Sequence, residues 1–220
     1  MNGSDSALQR ILDTPSATDR DELKAELLGE FHLGRPISDL LFLLQSHNGN
    51  AVQVGIWIAS ELGTSVKPLL KDIVPLLSHA EPNVRFLAVD CILKWASAAD
   101  GRALASAVLL VDDPAMAVRW KALRFLSSAS AEQLQAARSQ LESMNGPVNV
   151  VSGLAWLLGE DALDPLKVRA QLRNTDPLLR KFGVVAATRL SQTNEQPLIE
   201  ASRSGDSEVR QFAADMLSLF

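Results

Sequence analysis

The chain has one cysteine, no tyrosine, three histidines and no excess of positive charge among its 220 residues. Apart from the missing tyrosine, each shortage removes a class of protein. A lone Cys91 cannot close an internal disulfide, and its neighbours Val89, Ile92 and Leu93 set it in an apolar run, where a free thiol packs as a small hydrophobe. A reducing, cytoplasmic setting is the expectation. Lys and Arg number 21 against 26 Asp and Glu, a net charge of −5, so there is no global positive field to neutralise nucleic-acid phosphates or anionic lipid. Nucleic acid is disfavoured as a partner. The longest apolar windows, such as 103–111, fall short of the roughly 20 residues that span a bilayer. The opening residues MNGSDSALQRILD have no basic start leading into an apolar stretch, so neither a membrane span nor a secretory signal is expected.

Chemistry-bearing motifs are scarce too. His32, His47 and His79 sit in separate segments without the i, i+4 spacing of a helical metal site, and no second cysteine completes a zinc shell. GxxxxGK, GxGxxG and GxSxG patterns are absent, which removes the usual phosphate-cradling and acyl-transfer signatures. No catalytic residue, metal ligand or cofactor is assigned, and the expectation is a non-enzyme.

What the chain does have is 47% apolar content, enough for a buried core, and a repeat. A small residue inside a helical pattern recurs at Gly55, Ala88, Ala122, Gly153, Gly183 and Ala213, spaced about 30 to 34 residues apart, which is a solenoid period. Three residues before this anchor stands Arg85, Arg119, Arg180 or Arg210, with Val52 and Val150 in the other two copies. Six before it stand Pro82, Pro147 and Pro177, with Gly49 and Ser207 in two copies and Pro114 displaced by a two-residue insertion. Proline is tolerated in the first helical turn, where its missing N–H would be unpaired anyway, and Asp113, Asp176 and Asp206 suit an N-cap. Anchor helices are therefore expected to start near Gly49, Pro82, Pro114, Pro147, Pro177 and Ser207. Amphipathic stretches lie between them: 36–46, 66–78, 101–111, 131–143, 164–173 and 195–204.

The expected fold is all-α: a right-handed α-solenoid of about six helix pairs over 36–220, one continuous domain, with capping helices in 1–35. The segments DPAMAVRWKAL, EPNVRFLAV, DPLLRKFGVVAA and DSEVRQFAADML resemble HEAT-like repeats of the short bacterial kind, as in phycobilin-lyase-type families. Tetratricopeptide repeats share the period, but their tryptophan, leucine-glycine and tyrosine columns are missing. The resemblance implies that the repeated arginines pair with an acidic or carbonyl group of a neighbouring repeat. It also implies that the second helices line a concave side.

Each helical residue turns 100°, so positions two before and two after the anchor are expected to point away from the core. The first column reads Gln53, Phe86, Trp120, Val151, Lys181, Gln211; the second reads Trp57, Asp90, Arg124, Ala155, Val185, Asp215. Trp57, Phe86, Trp120 and Arg124, interleaved with Asp90 and edged by Glu61 and Lys94, form the candidate partner-binding set, because protein hot spots are enriched in tryptophan and arginine. The competing expectation is that these rings are covered by the N-terminal helices or by adjacent second helices. Trp95 and Trp156 fall on the core side by the same geometry, and the acidic N-terminal residues Asp19, Asp21, Glu22, Glu26 and Glu30 read as a solvated face. A protein partner follows, in an adaptor or inhibitor role; a basic toxin met by an immunity protein would suit the acidic chain. The resemblance also offers two enzymatic alternatives, a HEAT-like DNA glycosylase working through Asp90 between tryptophans, and a phycobilin lyase subunit. The acidic charge weighs against the glycosylase, and the lyase has no distinguishing motif here.

Overall fold

The structure, a computed structural model, describes residues 6–13 and 20–219. Those residues hold fourteen α-helices and no β-strand, and the chain divides into two compact units, Met1–Ala96 and Ser97–Phe220.

In the first unit α1 (Ala7–Asp13) and α2 (Arg20–His32) pack on α4 (Gly49–Glu61), which pairs with α3 (Leu40–Leu44). Leu23, Leu27 and Phe31 recur at four-residue spacing on α2 and are buried, while Asp21, Glu22 and Glu26 stay exposed. These three match the expected solvated acidic face; Glu30 departs from it, half-buried and paired with Arg35, and Asp19 lies outside the described residues. Arg35 binds both Glu30 at the end of α2 and Asp39 before α3, so the last turn of α2 is tied to the first helix pair. Asn48 caps α4 by accepting from the Asn50 amide at 3.0 Å. The stretch expected to be one helix over 66–78 is instead three short pieces: 3-10 turns at Gly63–Leu69 and Val74–Ser78 around α5 (Leu70–Ile73). Pro68 and Pro75 explain this, since each removes an amide that a continuous α-helix would need. α6 (Pro82–Trp95) completes the unit and packs on α4.

The second unit runs α7 (Gly101–Leu109), α8 (Met116–Ser128), α9 (Ala131–Ser143), α10 (Val148–Leu158), α11 (Pro165–Gln171), α12 (Pro177–Leu190), α13 (Gln196–Ala201) and α14 (Ser207–Leu217). All six anchor helices begin within two residues of their expected starts. Asp176 accepts from the Leu178 amide at 2.8 Å, and Asp206 accepts from Glu208 and Val209 at 3.0 and 3.2 Å. These are N-caps, worth about 0.5–2 kcal/mol each. Asp113 is shifted by the insertion and accepts instead from the Ala115 amide at 2.8 Å, shaping the turn before α8.

The small anchors are small for a visible reason. A Cβ on Gly55 would stand 2.7 Å from Leu43 Cβ, and one on Gly183 would stand 2.9 Å from the Leu172 backbone nitrogen, so both glycines let an anchor helix touch its own first helix. Gly153 serves a different contact. Its Cβ would fall 2.3 Å from the Phe182 ring of α12, which means that α10 is fitted to the following repeat.

The repeated arginines differ from expectation in an instructive way. Each sends its Nη1 to carbonyls of the turn inside its own repeat: Arg85 to His79 and Ala80, Arg119 to Asp113 and Pro114, Arg180 to Asn174 and Thr175, Arg210 to Ser204. The turn carbonyls left over between two helices need donors, and one planar guanidinium satisfies two. Other guanidinium nitrogens reach into other repeats: Arg180 Nε to Asp206 at 2.8 Å and Arg119 Nε to Glu208 at 2.6 Å.

Candidate partner-binding surface

Five of the seven candidate residues belong to the first unit. Trp57 and Glu61 sit one turn apart on α4, and Phe86, Asp90 and Lys94 follow one another at four-residue spacing on the adjoining α6. Trp57 and Phe86 are half-buried; Glu61 is exposed. Over the Trp57 ring lies Lys24 of α2, its nitrogen 5.6 Å from the ring centroid, a cation–π contact. An N-terminal helix therefore covers part of this tryptophan. Asp90 is engaged too: Lys94 Nζ stands 2.7 Å from its carboxylate and donates to the Ser60 carbonyl of α4 at 3.1 Å. Burial works to lower the Lys94 pKa, but the hydrogen bond and charge of Asp90, helped by Glu61, hold it above the ordinary lysine value.

The other two candidates, Trp120 and Arg124, are one turn apart on α8 of the second unit. Arg124 is exposed. Trp120 is half-buried and meets Phe212 of α14 edge-on, the centroids 6.4 Å apart at 74°. Its indole Nε1 is buried without an acceptor among the described residues. The ring thus belongs in part to the packing of α8 on α14.

The column argument fails on α12. Lys181 and Val185, expected to face away from the core, are 7% and 0% exposed. The reason is tertiary: α8, α10, α11, α13 and α14 all pack against α12, so every residue from 181 to 188 is buried. Lys181 survives burial because its ammonium donates to the Val111 carbonyl at 2.9 Å and stands 3.5 Å from Glu208. Arg189, two turns further on, donates to the Leu126 and Ala129 carbonyls at the end of α8 at 2.9 and 2.8 Å, and its burial lowers its pKa. Lys181 fastens α12 to the 3-10 turn after α7 and Arg189 fastens it to the end of α8, a role the sequence reading missed. For Lys181 the available signal was a basic residue in a repeat column that otherwise reads Gln53, Phe86, Trp120, Val151 and Gln211.

Trp95 and Cys91 are buried as expected, while Trp156 is half-buried. Among the described residues no group of three or more His, Cys, Asp or Glu comes together. No helix among them is long and apolar enough to cross a membrane.

No known family model matches the sequence, and no curated protein matches it. An engineered protein whose crystal structure came from a structural genomics consortium superimposes with a TM-score of 0.54 over 98% of both chains, at 16% identity. The chain is a helical repeat protein. Less similar are a designed armadillo repeat protein in complex with the peptide (KR)4 (TM-score 0.48, 16% identity, 99% of this chain and 100% of that one) and a second engineered protein from the same consortium (0.45, 17%, 96% and 95%).

Proposed function

We propose that this helical repeat protein, a HEAT-like array, is a non-catalytic module that binds a protein partner as an adaptor or stoichiometric inhibitor in the cytoplasm. One observation carries the reading. In the first unit α4 and α6 keep Trp57 and Phe86 incompletely buried on helices that also carry the exposed Glu61 and Lys94, and in the second α8 keeps Trp120 incompletely buried one turn from the exposed Arg124, while core positions on the same helices, such as Ile58, Ala88 and Ala122, are 0% exposed. Large rings at an edge that packing has not closed are the feature from which protein interfaces draw most of their energy. Asp90 supports the non-catalytic side of the reading: it is ion-paired with Lys94 and its side chain is 14% exposed, so it is a poor base for excising a nucleobase. A basic toxin or enzyme is the kind of partner an acidic chain of net charge −5 would suit.

The test is affinity capture with the wild type against Arg124→Glu and Trp57→Ala. One protein recovered in stoichiometric amount by the wild type and lost from both variants is the expected result. Release of bases from alkylated duplex DNA that disappears in Asp90→Asn would replace the reading with a glycosylase.

A further inference from the structure

The second unit holds a cleft of about 770 Å³ between the first helices of its last two repeats. Leu166 and Arg169 of α11, Arg173 beyond its end, Glu200 of α13, and Arg203 and Gly205 of the loop before α14 line it. It exists because the helices around it are short. α11 has seven residues and α13 six, against nine and thirteen in α7 and α9, so α11 and α13 pack on each other over a shorter length than α7 and α9 do. Small residues, Ala170 and Ala201, complete the walls, and a Cβ at Gly205 would meet nothing within 4 Å.

The charge of this cleft runs against that of the chain. Three guanidinium groups face one carboxylate in a protein of net charge −5. Glu200 is taken by Arg169, whose Nη2 lies 2.8 Å away. Arg173 and Arg203 are exposed, and among the described residues neither side chain makes a hydrogen bond or ion pair. That sets them apart from Arg85, Arg119, Arg180 and Arg210, each spent on turn carbonyls. A volume of this order fits the 300–1,000 Å³ of ordinary ligand sites, well beyond a single ion. Leu166, 68% exposed, gives the rim an apolar component.

We propose that the cleft receives an acidic peptide segment of a protein partner, its Asp or Glu carboxylates held by Arg173 and Arg203 and an adjacent apolar side chain resting on Leu166. Planar guanidinium forks match carboxylates, and Glu200 in the wall repels a phosphate dianion more than it repels a singly charged carboxylate. The proposal rests on the reading above only in taking a protein as the partner; it adds a second surface of opposite charge preference.

The experiment uses a fluorescent eight-residue peptide of alternating glutamate and leucine, titrated with the full chain in about 50 mM salt and followed by anisotropy. Saturable binding is expected, weakened at least about tenfold in the Arg173→Glu/Arg203→Glu double variant and strongly reduced at about 200 mM salt. Arg173→Gln/Arg203→Gln gives the same comparison should the charge reversal disturb the fold, which melting curves will show. Absence of wild-type binding, equal binding by the double variants, or equal binding of a lysine–leucine peptide overturns the proposal. Displacement of the peptide by millimolar inorganic phosphate at constant ionic strength overturns it as well, because the cleft would then read phosphate. Arg124→Glu leaves this cleft intact, so peptide binding that survives in a variant that has lost its captured partner separates failure of one proposal from failure of the other.

Discussion

Arg180 holds Asp206 with both Nε and Nη2 at 2.8 Å, while Asp206 accepts the Glu208 and Val209 amides that open α14. One carboxylate thus starts the last anchor helix and locks it to the preceding repeat. The side chains are only 21% and 17% exposed, so solvent screens the pair weakly. Asp206→Ala removes cap and ion pair together and is expected to cost about 2 kcal/mol, read from the urea midpoint.

The same carboxylate gives a pH dependence of known sign. Burial alone would raise the Asp206 pKa, but the Val209 amide, Arg180 and the Glu208 amide together bring it below the ordinary aspartate value. A lowered folded-state pKa means the stabilisation is complete above the unfolded value, about 3.9, and is lost as pH falls through the folded value. Asp206→Asn, which keeps a capping oxygen, should therefore flatten part of the loss of stability as pH falls below about 4. Identical wild-type and variant profiles there would show that the pairing contributes nothing.

Two glycines form a matched pair for packing. At Gly183 a side chain meets the Leu172 backbone, which cannot swing aside, so Gly183→Leu is expected to cost roughly 1 to 3 kcal/mol. Gly29, inside α2, has nothing within 4 Å of a Cβ, and Gly29→Ala should stabilise by about 0.5–1 kcal/mol. Thermal melts of both variants check the contrast; a stabilised Gly183→Leu would mean the helices do not approach there.

Tryptophans sort by burial. Trp95, 5% exposed, should cost about 3 to 5 kcal/mol on truncation to alanine. Trp120→Ala should cost less but clearly more than a surface change, about 1–2 kcal/mol, because its ring leans on Phe212. Arg124→Glu, at an exposed position, should stay within about 0.5 kcal/mol of wild type, which makes it the cleaner probe of partner binding. Chemical denaturation of the three proteins gives the ranking directly.

Arg189 tests the clamp on α8. Arg189→Met leaves the Leu126 and Ala129 carbonyls without that donor and is expected to cost about 2–3 kcal/mol. Arg189→Lys should recover only part of the loss, since a single ammonium lacks the planar fork. Full recovery by lysine would reduce the arginine to a mere charge.

The sequence by itself determined the helices and their phasing. Proline and aspartate at the turns, the small anchors and the apolar spacing act within one repeat, over distances that local hydrogen bonds and helix geometry span; the six anchor-helix starts, the core position of Trp95 and the buried Cys91 follow from them. Tertiary structure decided which faces stay open. The surroundings of α12 come from repeats on either side of it in the chain, so Lys181 and Val185 are enclosed although their columns read as solvent-facing. Trp120 finds Phe212, and Arg119 finds Glu208, across a span no local pattern encodes. Lys24 over Trp57 and the short α11 and α13 beside the arginine cleft are of the same kind. Exposure is a property of the neighbours a side chain acquires, and periodicity specifies only the side on which those neighbours can arrive.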